Sequence, residues 1–187
     1  MKGMVFTMLG ELVEERYGLK VWDELIELTQ PESEGIYISS DVYPDQELHK
    51  YVSTLSLKLK VPERDLVFAF GEYLLSRFYA MHPELFIDHT LRSFLNSVHN
   101  VIHVEVKKLH PDVMLPEFNY EGKAENKLVM LYKSPRKLCA LAEGLIAGAA
   151  KHFGEKHLCE HSVCMHQGAD HCRFELTFET RAIAKNA

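Results

Sequence analysis

The run Tyr132-Lys133-Ser134-Pro135-Arg136 can present three hydrogen-bonding side chains to one ligand. In an extended chain, residues i, i+2 and i+4 share a face, so Tyr132, Ser134 and Arg136 are expected to converge. Pro135 supports this, because the residue before a proline is pushed out of the helical region. Two hydroxyls beside a guanidinium fork suit a carboxylate or a phosphate. A solvated strand end with an incidental arginine would read the same way.

A second concentration of reactive types runs from His157 to Cys172, HLCEHSVCMHQGADHC. Zinc takes about four N or S ligands, commonly including a pair two to four residues apart. His161 and Cys164 form such a pair. Cys172 lies across from them if the QGAD turn at 167–170 closes a hairpin. Cys139, Cys159, His157, His166 and His171 are all open as a fourth ligand. Cys139 is preferred, because it would close a helix onto that hairpin. Reduced buried thiols among exposed histidines are the alternative, and Cys159 would then be a thiol open to oxidation.

His103 is harder to place. One long helix is expected from near Pro83 to Leu109, with Leu91, Leu95, Val98, Ile102 and Leu109 as its apolar stripe. At ~100° per residue, His103 falls roughly 130° from the centre of that stripe, beside His99 and Val106. The wheel alone describes a surface histidine.

The elements that must carry these groups are readable from period. Apolar residues at helical spacing predict helices over residues 2–17, around Trp22, Leu25 and Ile26, after Pro44, and from Leu66 to Ala80. Segments 116–121 and 127–133 read as extended, and residues 137–153 as a helix. Cys172, Phe174, Leu176 and Phe178 alternate with polar residues, which marks a half-buried strand. The fold class is therefore α+β, a helical N-terminal part followed by an antiparallel sheet with a packed helix.

Composition narrows the function. A net charge of −6 over 187 residues disfavours a nucleic-acid surface. No apolar run reaches the length of a membrane span, and the N-terminus lacks a signal-peptide core. A cytoplasmic location is expected, where four cysteines favour metal over disulfides.

Several motifs occur together in order: MKGMVFTMLGELVEERYG at the start, Asn100-Val-Ile-His103-Val-Glu-Val, Pro116, and Tyr132-x-Ser134-x-Arg136. Together they resemble the H-NOX family, the haem-nitric oxide/oxygen-binding domains related to the sensor region of soluble guanylate cyclase. The resemblance spans about residues 1–180. It implies one H-NOX domain, with a helical N-terminal lobe at about 1–65, a haem-anchoring lobe at 66–180, and a tail at 181–187. It implies haem b with His103 as axial iron ligand and Tyr132, Ser134 and Arg136 on the propionates. Pro116 would press on the porphyrin, and Met1, Val5, Phe78, Leu141 and Leu145 would line the pocket. A subset of similar bacterial proteins carries cysteines and a histidine matching Cys139, His161, Cys164 and Cys172, implying one structural zinc.

Bound dioxygen needs a distal hydrogen-bond donor, and oxygen-binding relatives supply a tyrosine. The matching position here is Leu141, and Val5, Leu74, Phe78 and Leu145 donate nothing; Tyr73 and Tyr79 are the remaining candidates. The resemblance thus implies a sensor of nitric oxide and carbon monoxide with weak or no oxygen binding, in which nitric oxide breaks the iron–His103 bond. Nothing in the sequence resembles a kinase, cyclase or phosphodiesterase. Output is expected to pass in trans to a signalling protein, a histidine kinase or cyclic-di-GMP enzyme. A zinc- and thiol-based redox regulator with a secondary haem role is the alternative.

Overall fold

Apolar residues recurring every three or four positions make the first part of the chain helical: α1 Gly3–Tyr17, α2 Leu19–Thr29, α3 Asp45–Leu59 and α4 Glu63–Met81. Pro44 and Pro62 immediately precede α3 and α4, where a missing amide costs nothing. In this computed structural model, residues 1–109, 111, 113–122, 124 and 126–179 are described. The tail expected at 181–187 and the helix end expected at His110 lie outside them.

The long helix expected from Pro83 to Leu109 is broken into parts. A 3-10 turn occupies Pro83–Phe86, and α5 runs only from Leu91 to Ser97. Thr90 starts α5 afresh, its hydroxyl accepting from the Ser93 amide while the Ser93 hydroxyl accepts from the Thr90 amide. A π-helical turn, Val98–Ile102, then leads into α6, His103–Leu109. The His103 amide bonds the Val98 carbonyl five residues back.

The rest of the chain is a four-stranded antiparallel sheet and one helix. Strands β1 Glu117–Glu121, β2 Lys127–Lys133, β3 His157–Val163 and β4 Cys172–Phe178 lie in the order β1-β2-β4-β3. Helix α7, Cys139–Phe153, separates β2 from β3. The expected hairpin joins β3 to β4, with a 3-10 turn, Met165–Gln167, inside its connection. The α+β architecture is the one expected.

Two apolar clusters result. Phe6, Leu9, Val13, Leu25, Tyr51 and Phe70 centre the first, among α1 to α4. Leu91, Leu128, Met130, Ala149, Phe174 and Leu176 centre the second, between the sheet, α5 and α7. Leu145 of α7 packs against both. Helices α4 and α7 meet backbone to backbone, because Gly71 and Gly144 lack side chains where they cross. A Cβ on Gly144 would strike the Phe68 carbonyl oxygen and come within 2.9 Å of Gly71 Cα.

Candidate functional site

Strand β2 delivers Tyr132 to the second core, where its ring is buried and its hydroxyl accepts a hydrogen bond from the Leu138 amide at 3.1 Å. Burial pushes its pKa up to about 12, against the opposing pull of Ser134 and Leu138. The phenol stays neutral and able to donate. Ser134 is buried too, its Oγ accepting from the Arg136 amide at 3.3 Å. The extended run does not continue through Arg136, as a shared face for Tyr132, Ser134 and Arg136 would require. It ends at Lys133, and Pro135 and Arg136 form a turn closed by the Lys137 amide on the Ser134 carbonyl, 3.1 Å. Proline's fixed φ suits the second position of such a turn.

Arg136 Nε donates to Asp45 Oδ2 at 2.6 Å and Nη1 donates to the Met114 carbonyl at 2.5 Å. The Met1 amine lies 2.8 Å from Asp45 Oδ1. Burial alone would raise the Asp45 carboxyl, but Arg136 and the amine outweigh it and hold the pKa below the usual aspartate value. Asp45 joins the helical N-terminal part to the turn after β2. Sequence spacing missed it, since an aspartate in a first helical turn has an ordinary role there.

His103 is half-buried, contrary to the helical wheel. The π turn before it places an extra residue in one turn, so the helix after it falls out of phase with a 100° projection. Its ring lies 5.8 Å from the Phe118 ring and 6.3 Å from His99. Burial lowers its pKa to about 4, helped by His99 and opposed by the Pro116 backbone. Its Nδ1 is buried without a hydrogen-bond partner. The ring is therefore neutral at physiological pH, the form that binds metals. His99 Nδ1 accepts from the Phe118 amide at 3.4 Å, which ties the π turn to β1. Pro116 is half-buried just before that strand.

Met1, Val5, Phe78, Leu141 and Leu145 are all half-buried and pack against the first cluster. Of the two tyrosines in question, Tyr73 donates to Glu15 at 2.9 Å, and Tyr79 is exposed, its ring against Phe86 and His152. Leu74 is buried and apolar.

Cys139, His161, Cys164 and Cys172 come together, their ligand atoms all within 4.8 Å of one another. Cys139 and Cys164 Sγ atoms are 4.0 Å apart, and the Met165 amide donates to Cys172 Sγ at 3.2 Å. The other candidates are elsewhere: His166 Nε2 is 2.8 Å from the Lys137 carbonyl oxygen, His171 is paired with Asp170, and His157 sits opposite Phe178. Cys159 lies outside the cluster, and burial pushes its thiol up to about 12, which suppresses the reactivity expected of it. Glu143 holds His161 Nδ1 at 2.6 Å, a contact not expected from the sequence. Its position, four residues after Cys139 on one helix face, was the available signal.

The family model described as Haem-NO-binding matches residues 2–161. The chain belongs to this family. An H-NOX protein from S. oneidensis, solved in the Fe(II)NO ligation state, is 36% identical, covers 96% of this chain and 100% of its own, and superposes with a TM-score of 0.90. The Fe(II) unliganded H-NOX protein from K. algicida is 31% identical over 97% of this chain and 98% of its own, TM-score 0.87. The IWP-051-bound H-NOX from Shewanella woodyi, in the Fe(II)CO state, is 34% identical over 100% of this chain and 99% of its own, TM-score 0.84. No curated protein matches. H-NOX domains bind haem, and the neutral His103 ring with its unpartnered nitrogen fits a haem ligand. No helix among the described residues is long and apolar enough to cross a membrane.

Proposed function

We propose that this H-NOX domain is a gas sensor rather than an enzyme, holding haem b through His103 and responding to nitric oxide and carbon monoxide. Ferrous haem supplies the metal to which either gas binds. Tyr132, Ser134 and Arg136 hold the propionates: a neutral phenol and a hydroxyl donate, and the guanidinium compensates charge. Pro116 bears on the porphyrin face, and Met1, Val5, Phe78, Leu141 and Leu145 form an apolar wall. With Tyr73 committed to Glu15 and Tyr79 resting on Phe86, that wall offers no hydroxyl to dioxygen, so oxygen binds weakly or not at all.

The observation that carries this reading is the half-buried, neutral His103 at the end of a π turn. A π turn interrupts the regular ladder and is a natural place for a helix to reset. Displacement of His103 is thereby passed to Val98–Ile102 and α6, whose Val101 and Val104 are exposed. That surface signals in trans to a histidine kinase or cyclic-di-GMP enzyme, in the cytoplasm. Cys139, His161, Cys164 and Cys172 hold one structural zinc that pins α7 to the β3–β4 hairpin. A zinc- and thiol-based regulator with haem in a secondary role is the second reading, favoured by the same four-residue cluster.

Replacing His103 with Gly tests the assignment. The variant is expected to lose haem, or to keep it only when imidazole is added. A ferrous spectrum identical to wild type excludes His103. Metal analysis of the same preparations separates the two readings: zinc without iron favours the second.

A further inference from the structure

We propose that Glu143, backed by Arg64, is the positioning residue of the metal cluster: it fixes the tautomer of His161 so that Nε2 is the ligating atom. This rests on the zinc reading of Cys139, His161, Cys164 and Cys172.

His161 has two ring nitrogens in different surroundings. Nδ1 lies 2.6 Å from Glu143 Oε1, while Nε2 is buried with no partner. A carboxylate can only accept, so the ring proton belongs on Nδ1 and the Nε2 lone pair is left free. That lone pair would be an uncompensated buried acceptor unless something binds it. It belongs to the residue whose ligand atom lies within 4.8 Å of three sulfurs. The ring also packs against Phe174, 4.7 Å away between centroids.

The second carboxylate oxygen is also engaged. Arg64 Nη2 donates to Glu143 Oε2 at 2.6 Å, with Glu143 largely buried at 12% exposure and Arg64 mostly exposed. Glu143 is thus engaged at both oxygens, which favours the rotamer that faces His161. Arg64 also offsets the negative charge that a carboxylate adds beside sulfurs that would be thiolates with a metal bound. The resulting line runs from the first turn of α4, through α7, to β3. Metal-bound histidines commonly donate their second N–H to a carboxylate, which orients the ring and raises ligand basicity. Cys139 and Glu143 share one face of α7, so this helix supplies both a sulfur ligand and the residue that aims the nitrogen ligand.

The test measures zinc affinity of the full chain by competition with a chromophoric chelator, and reads the His161 tautomer from long-range proton–nitrogen NMR correlations. Wild type is expected to bind one zinc with the proton on Nδ1. E143A should bind about 10- to 100-fold more weakly. E143Q, whose amide oxygen still accepts from Nδ1, should recover most of that affinity and keep the tautomer. If E143A does not fold, E143L, which fills the same space and accepts nothing, decides by affinity: a folded E143L that binds zinc as tightly as wild type overturns the proposal. So does a folded E143A with unchanged affinity, or ligation through Nδ1 in wild type. A wild-type chain that binds no zinc overturns the zinc reading itself, and with it this role.

Discussion

Tyr132 and Cys172 lie directly opposite one another across the antiparallel β2–β4 pair. A proposed propionate-binding residue and a proposed zinc ligand thus share one rung of the sheet. A row of rings crosses all four strands, stepping two residues along at β4, where Phe174 pairs with Met130: Phe118 to Tyr132 at 5.5 Å, Tyr132 to Phe174 at 6.2 Å, Phe174 to His161 at 4.7 Å. His103 stands against its first member. The two sites are packed onto a common sheet edge to edge, and perturbing one should be felt at the other.

Removing zinc is therefore expected to act beyond the cluster. Metal binding to the folded chain adds stability by mass action. A strong chelator should lower Tm and also speed haem loss, because the Tyr132 end of β2 loses its braced neighbour. Thermal melts and transfer of haem to an apo-globin acceptor, with and without chelator, check both effects. Unchanged haem loss in a zinc-free sample would separate the two sites.

The link between Asp45 and Arg136 gives a pH prediction. Asp45 has a depressed pKa in the folded chain, so its contribution is complete above the unfolded value of about 3.9 and is lost as pH falls through the folded value. Asp45→Asn should cost about 1–2 kcal/mol near neutrality, the size of one partly exposed charged hydrogen bond. The difference from wild type should shrink below about pH 4. Denaturation of both proteins across that range measures it; a gap that widens in acid would contradict the assignment.

Gly144→Ala should destabilise, although alanine ordinarily favours a helix by about 1 kcal/mol over glycine. Its Cβ would meet the Phe68 carbonyl, which belongs to helix backbone and cannot swing aside. Overpacking of this kind costs about 1–3 kcal/mol. A Tm equal to or above wild type would show that α4 and α7 can separate at no cost.

Leu141→Tyr places a phenol at a half-buried position of the apolar wall proposed to exclude dioxygen. The variant is expected to form an oxygen complex that persists in air, while carbon monoxide binding shows that the pocket is intact. Absorption spectra of the reduced protein under each gas decide the outcome. A variant that takes carbon monoxide normally and still forms no oxygen complex would show that pocket apolarity is not what excludes oxygen.

Periodicity exposed most elements in the sequence, since the helices of the first eighty residues and β4 each bury one regular face. It failed where a local feature broke the period. The π turn before His103 has no composition of its own, so the wheel put a half-buried ring at the surface. Pro135 constrains Ser134, but the same fixed φ also suits a turn, and the sequence does not say which use prevails. The metal cluster was legible because cysteines and histidines are dense there, and Cys139 joined it through the position of α7. Asp45 and Glu143 were not legible: each acts across a tertiary contact, with Arg136 or His161, that no spacing along the chain encodes.

The central claim is tested most directly by anaerobic titration of the reduced, hemin-reconstituted protein with nitric oxide and carbon monoxide, followed by exposure of the unliganded form to air. Absorption bands that shift with both gases, and no stable complex with oxygen, are the predicted result. A stable oxygen complex, or a colourless chain that hemin cannot reconstitute, would contradict it.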